Sequence, residues 1–147
     1  MLVLVLATIG AAGYLYLSRS SSTSSTGGGL VGSEQRVVKS ADTLTAAAQR
    51  VQRFATLRSF DLVAQDQVQV MSRELTALQH IEAGASGRQK AIAGQAVTDV
   101  REAIYATLLY RKAVAFTYRL SEAAQAHQYL NNAIADLKQQ AQAWQHA

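Results

Sequence analysis

The sequence predicts an all-α protein: an N-terminal single transmembrane helix, a flexible tether, then a long antiparallel helical hairpin, with a four-helix bundle as the alternative for the last part. Three observations carry this. None of the 147 residues is proline, and beyond Gly32 the only glycines are Gly84, Gly87 and Gly94, so long stretches lack the residues that stop helices. Good helix formers dominate (Ala, Gln, Leu, Glu and Arg), while β-branched residues are scattered rather than alternating. Apolar residues also recur at three- and four-residue spacing, the period of one helix face.

Residues 1–18 are the expected membrane anchor. Met1 to Leu17 carry no charged side chain. As a helix they would rise about 26 Å, slightly under the roughly 30 Å of bilayer hydrocarbon, a gap that Ser18 and local thinning would close. Tyr14 and Tyr16 fall at the headgroup level, with Arg19 just beyond. A cleaved signal peptide is the rival reading; it is disfavoured because no Lys or Arg precedes the apolar run and no clear small-x-small site follows it. Ala7 and Ala11 are four apart with Gly10 between them, a small-residue face that lets two membrane helices approach closely and points to a homo-oligomer. The localisation expected is single-pass membrane. Arg19 leans toward a cytoplasmic C-terminal part, but one charge leaves the side undecided. Residues 19–32 are Ser, Thr and Gly with few apolar side chains, too little to offset the entropy of ordering, and read as a flexible tether.

Residues 33–147 form one helical domain, with enough chain for one modest core. Ser33 is the expected N-cap, with Glu34 near the positive helix end. Val37, Ala41, Leu44, Ala48, Val51 and Ala55 make a first seam; Phe54, Leu57, Ala64, Val68, Met71, Leu75 and Leu78 make a second, displaced by about one position, which marks a stammer or a turn. Ala126, Leu130, Ala133, Leu137, Gln140 and Trp144 make a third. Between them Ala103 to Tyr110 and Ala113 to Phe116 are apolar nearly all round and must be covered on more than one side. Only Gly84-Ala85-Ser86-Gly87 has turn chemistry, so it splits the domain into two arms. As one helix the second arm would run about 85 Å. In the bundle alternative each arm bends once, near Leu57 to Asp61 and near Arg119 to Glu122, with Ser59 and Ser121 as N-caps. The absence of Gly and Pro at both sites favours the hairpin. Gly94 costs about 1 kcal/mol against alanine in a helix interior.

Positive charge is grouped. Arg50, Arg53 and Arg58 lie on the first arm, and Arg111, Lys112 and Arg119 on the second; folding about the glycine turn brings both groups to the same level, with Asp61 and Glu122 the carboxylates close in sequence. The surface suits an acidic protein partner, anionic headgroups or, less well, nucleic acid. The plainer reading is a solvated face that keeps the protein soluble. Tyr110 and Tyr118 are close enough to be stacking platforms, although tyrosines packed between helices are commoner.

No constellation for catalysis emerges. Cysteine is absent, which removes thiolate chemistry and Cys-based metal sites. His80, His127 and His146 lack partners at i+3 or i+4 that would place two ligands on one helical face, and read as solvent-facing or helix-end residues. Glu74 with Glu82 and Asp61 with Asp66 are eight and five apart, not the spacing of helical neighbours sharing a proton. Gly27-Gly28-Gly29 has no strand before it to frame a phosphate loop. The expectation is therefore a non-enzyme without cofactor, metal or small-molecule substrate, whose partners are the lipid bilayer and another copy or a helical protein. The layout of anchor, tether and helical domain resembles the inner-membrane subunits of phage lysis spanins and membrane-bound assembly factors, a likeness of organisation that carries over no residue. It is superficially similar to a type IV pilin as well, but position 5 is Val where bacterial pilins carry glutamate. The function expected is a membrane-anchored structural or tethering protein. Alternatives are an envelope-disrupting, spanin-like lysis protein and a membrane-linked adaptor that uses the basic belt.

Overall fold

A helix that is apolar nearly all round needs neighbours on two flanks, and the fold is organised to supply them. The computed structural model describes residues 29–53 and 56–147. It contains α1 (Leu30–Arg53), α2 (Leu57–Gly84), α3 (Gly87–Arg111) and α4 (Leu120–Gln145), with a six-residue π-helix, Lys112–Thr117, joining α3 to α4. Each helix packs on the next in sequence and α4 returns to α1, while the diagonal pair α1 and α3 scarcely touch. This is an up-down-up-down four-helix bundle. The long hairpin is thereby corrected: each arm breaks once, and α3 lies between α2 and α4.

Both breaks are built without glycine or proline, which is why the sequence conceals them. At the first, Thr56 is extended (φ −77°, ψ 146°) and its Oγ1 accepts from the Ser59 backbone N–H at 3.4 Å. Thr56, not Ser59, is the cap; the Ser59 hydroxyl instead lies 2.9 Å from Thr56 Oγ1. At the second, Tyr118 adopts the left-handed conformation (φ 54°, ψ 30°), and the Arg119 N–H donates back to the Ala113 carbonyl at 3.1 Å. Ser121 falls inside α4, whose N-cap is Arg119. A left-handed non-glycine residue is disfavoured by about 1–2 kcal/mol; the backbone bond to Ala113 and the burial of Ala113 and Ala123 on either side hold the turn, while the Tyr118 side chain is exposed. The third reversal agrees with expectation: Ala85 and Ser86 are extended, and Gly87 has φ +55°, a conformation open to glycine without strain.

The start of α1 also differs from expectation. The helix begins at Leu30, where the Gly32 N–H bonds to the Gly29 carbonyl at 3.1 Å, and Ser33 is buried inside the helix instead of capping it. Leu30 supplies a fully buried side chain, whose transfer from water offsets part of the cost of ordering the four additional helical residues. No helix among the described residues is long and apolar enough to cross a membrane; the expected anchor, including Ala7, Gly10 and Ala11, lies outside them.

The three seams line the core. Val37, Ala41, Leu44 and Ala48 of α1, Ala64, Met71 and Leu78 of α2, and Ala126, Leu130, Ala133 and Leu137 of α4 are buried, and Phe60 joins them from outside the second seam. Val51, Leu57, Val68, Leu75, Gln140 and Trp144 are half-buried, and Phe54 and Ala55 lie outside the described residues. Phe60 meets Tyr110 edge-to-face at 5.8 Å, and Thr107 Oγ1 sits 3.6 Å from the Met71 sulfur. Gly94 leaves room beside α2: a Cβ there would stand 3.0 Å from Glu82 Oε1.

Two carboxylates are buried among these apolar residues. Glu74 accepts from Arg36 Nη1 at 2.9 Å, which leaves its Oε2 without a partner, and the exposed Arg36 is driven toward its charged form chiefly by that hydrogen bond. Asp99 accepts from Gln95 Nε2 at 3.1 Å through Oδ1, while its Oδ2 is unpartnered. Burial, with smaller contributions from Asp136 and Glu102, pushes the Asp99 carboxyl up to about 6. The neutral form is thus the one the fold prefers. Its favourable contribution is complete below the ordinary value of 3.8 and is lost as pH rises through about 6.

Removing that charge stabilises the fold where Asp99 is ionised. Asp99→Asn is expected to melt above the native protein at about pH 7.5, by the equivalent of about 1–2 kcal/mol, with the gap about halved at pH 5; thermal denaturation followed by circular dichroism at both pH values reads this directly. At the other site, Arg36→Ala strips Glu74 of its single donor and is expected to destabilise by about 1–3 kcal/mol. Adding Glu74→Gln to that background restores most of the loss, measured by urea denaturation of the two variants side by side.

Candidate docking surface at the two-turn end

Because the bundle runs up-down-up-down, the α1–α2 and α3–α4 reversals lie at the same end, opposite the Gly84–Gly87 turn. This end gathers all six basic residues singled out in the sequence. Arg50 and Arg53 close α1, Arg58 opens α2, Arg111 closes α3, Lys112 starts the π-helix and Arg119 caps α4. Two of them are engaged. Arg111 Nε donates to Asp61 Oδ1 at 2.6 Å, tying α3 to α2, and Arg119 Nη1 donates to Glu122 Oε1 at 2.7 Å. Glu122 holds Arg119 above its ordinary value through that hydrogen bond first and charge second. The carboxylates within 45–62 and 110–128 are Asp61 and Glu122, and both are used. Arg50, Arg53, Arg58 and Lys112 are exposed and have no ion-pair partner among the described residues.

The same end carries apolar side chains that are not sheltered. Phe116, Tyr118 and Leu120 are 60%, 65% and 71% exposed. The Arg111 guanidinium stacks over one face of the Phe116 ring, 5.4 Å from its centroid, a cation–π contact. The π-helix explains this placement. Its wider turn takes Ala113 into the core and leaves Phe116 outside, so the expectation that Ala113 to Phe116 would be covered holds only for the first part of that run. Tyr118 is exposed, whereas Tyr110 is buried against Phe60 and His127 and is not a stacking platform; burial also raises its phenol above the ordinary value. Phe116 and Leu120 escape a reading of the sequence, although the run Lys112 to Leu120 does interleave large apolar residues with Lys and Arg.

Beside this end, the α1–α4 groove holds a cavity of about 330 Å³ lined by Thr45, Gln49, Gln52, Tyr110, Leu120, Ala123, Ala124 and His127. His127 is a structural residue, which corrects the solvent-facing role expected of it: Nε2 lies 3.2 Å from Thr45 Oγ1, and the ring packs 5.6 Å from Tyr110. His80 and His146 are exposed. Glu74 and Asp61 each serve an arginine, so neither forms the core of a carboxylate pair. Among the described residues no group of three His, Asp or Glu is placed to hold a metal ion. Comparison with protein-family models, with curated proteins and with solved structures finds nothing that matches this chain.

Proposed function

We propose that the chain is a membrane-anchored, non-enzymatic tethering protein, single-pass, whose four-helix bundle presents a docking surface at the end remote from its anchor. One observation carries the reading. The tether joins α1 at Leu30, where Gly29 lies near the indole of Trp144 at the end of α4, while the unpaired cations cluster at the opposite end. An anchor at one end and a basic, partly apolar surface at the other is the arrangement a tether requires. Its action is geometric: confinement to a bilayer raises the effective concentration of the bundle for whatever it meets. Leu62, Tyr105 and Leu108, exposed on α2 and α3, offer a second copy or a helical partner an apolar contact. The remote position of the basic end also favours the envelope-disrupting alternative, since a bundle held between two surfaces draws them together.

Membrane fractionation tests the anchor. The full chain is expected to stay in the membrane pellet after alkaline carbonate extraction, and a chain lacking residues 1–18 to move to the supernatant; release of the full chain by carbonate overturns the reading. Crosslinking in the same membranes is expected to trap dimers or higher species, and monomer alone with no crosslinked partner removes self-association. Loss of host viability on inducible expression selects the envelope-disrupting alternative.

A further inference from the structure

We propose that the two-turn end docks on an anionic lipid bilayer facing the one that holds the N-terminal segment, an inference that deepens the tethering reading and rests on it. The end combines two chemistries. Arg50, Arg53, Arg58 and Lys112 are exposed cations with no ion-pair partner among the described residues, and Phe116, Tyr118 and Leu120 are exposed apolar or amphipathic side chains on one short stretch of chain. Lipid headgroups use both: phosphates attract the cations, while aromatic and aliphatic side chains enter the boundary between headgroup and acyl chain.

Other acidic partners fit less well. Single-stranded nucleic acid stacks its bases on open aromatic faces, but Arg111 already covers one face of Phe116, and Leu120, the most exposed of the three, has no ring. An acidic protein would satisfy the cations and leave the apolar side chains to find a matching hydrophobic surface. A bilayer presents charge and an apolar interior across one flat front, which suits side chains projecting from a helical end.

Reach decides which bilayer. The bundle is about 40 Å long, the length of helices of 24 to 28 residues. The eleven residues 19–29 span at most about 36–40 Å whatever their conformation. Docking end-on against its own membrane therefore demands the whole of that span, whereas a facing surface is met without it.

The test uses the full chain reconstituted into phosphatidylcholine nanodiscs, mixed with free vesicles either of phosphatidylcholine alone or containing one-third phosphatidylglycerol, with capture read by flotation. Capture of the anionic vesicles alone, weakening as salt rises, is expected. Combining Arg50→Gln, Arg53→Gln, Arg58→Gln and Lys112→Gln is expected to lower apparent affinity by at least about tenfold. Phe116→Ser with Leu120→Ser is expected to weaken capture at unchanged charge, and both variants should keep native helicity and melting temperature because every altered side chain is exposed. Equal capture of neutral vesicles, unaltered capture by the charge variant, or tighter binding of a single-stranded oligonucleotide than of anionic vesicles overturns the docking proposal. A chain that fails to enter the nanodisc overturns the anchored reading instead; one that enters and captures nothing overturns only the docking.

Discussion

The architecture depends on the sheathing of α3. Ten of its 25 residues are buried, from Ile92 to Tyr110, and they lie on flanks that face both α2 and α4. In a two-helix hairpin one flank would stay wet, at roughly 25 cal/mol for each Å² of apolar surface left exposed. Folding both arms in half covers both flanks, and that gain outweighs a left-handed Tyr118 and the interruption of helical hydrogen bonding at the two breaks. The location of the basic cluster is a by-product of the same folding. Once four helices alternate in direction, chain segments around positions 53, 58, 112 and 119 have nowhere to meet except one end.

Alanine sets the character of the packing. Ala93, Ala96, Ala103 and Ala106 of α3 and Ala123, Ala126, Ala133 and Ala141 of α4 are all buried, and α3 with α4 is the most extensively packed pair. Small side chains bring helix axes together, so this pair gains contact through backbone proximity while Phe60, Met71, Leu44, Leu130 and Leu137 fill the wider space. Asp99 stands within the alanine-lined part of α3, where close helices exclude water from Oδ2. Its raised carboxyl is a consequence of that closeness more than of any neighbouring charge.

Much of the helical content is legible because the spacing of Val37 to Ala48, Met71 to Leu78 and Ala126 to Leu137 is a one-dimensional record of one buried face. The glycine turn is legible because Gly87 takes a positive φ that leaves a residue-specific trace. The other two reversals leave no such trace: Thr56 caps with a side chain common anywhere, and Tyr118 takes the left-handed conformation without being a glycine, its side chain exposed. A competing signal is present in Ala103 to Tyr110, whose all-round apolarity demands two flanking helices; burial of that kind outranks missing turn residues as a guide to where the arms fold. For the two-turn end, the six basic residues are readable from charge and from their distance to the glycine turn. Phe116 and Leu120 are not, since an apolar residue near a helix end is ordinarily core and only the π geometry turns Phe116 outward.

The π-helix between α3 and α4 has a meaning for how such an end arises. A π-turn is an α-turn with one residue more than its axis needs. Removing a residue from 112–117 would let the segment relax to α geometry and rotate the residues C-terminal to it by about 100°, the angle one residue subtends in an α-helix. The exposed aromatic edge is then a property of chain length rather than of composition. A plain helical corner and one that offers its aromatic side chains to a surface differ by a single inserted codon.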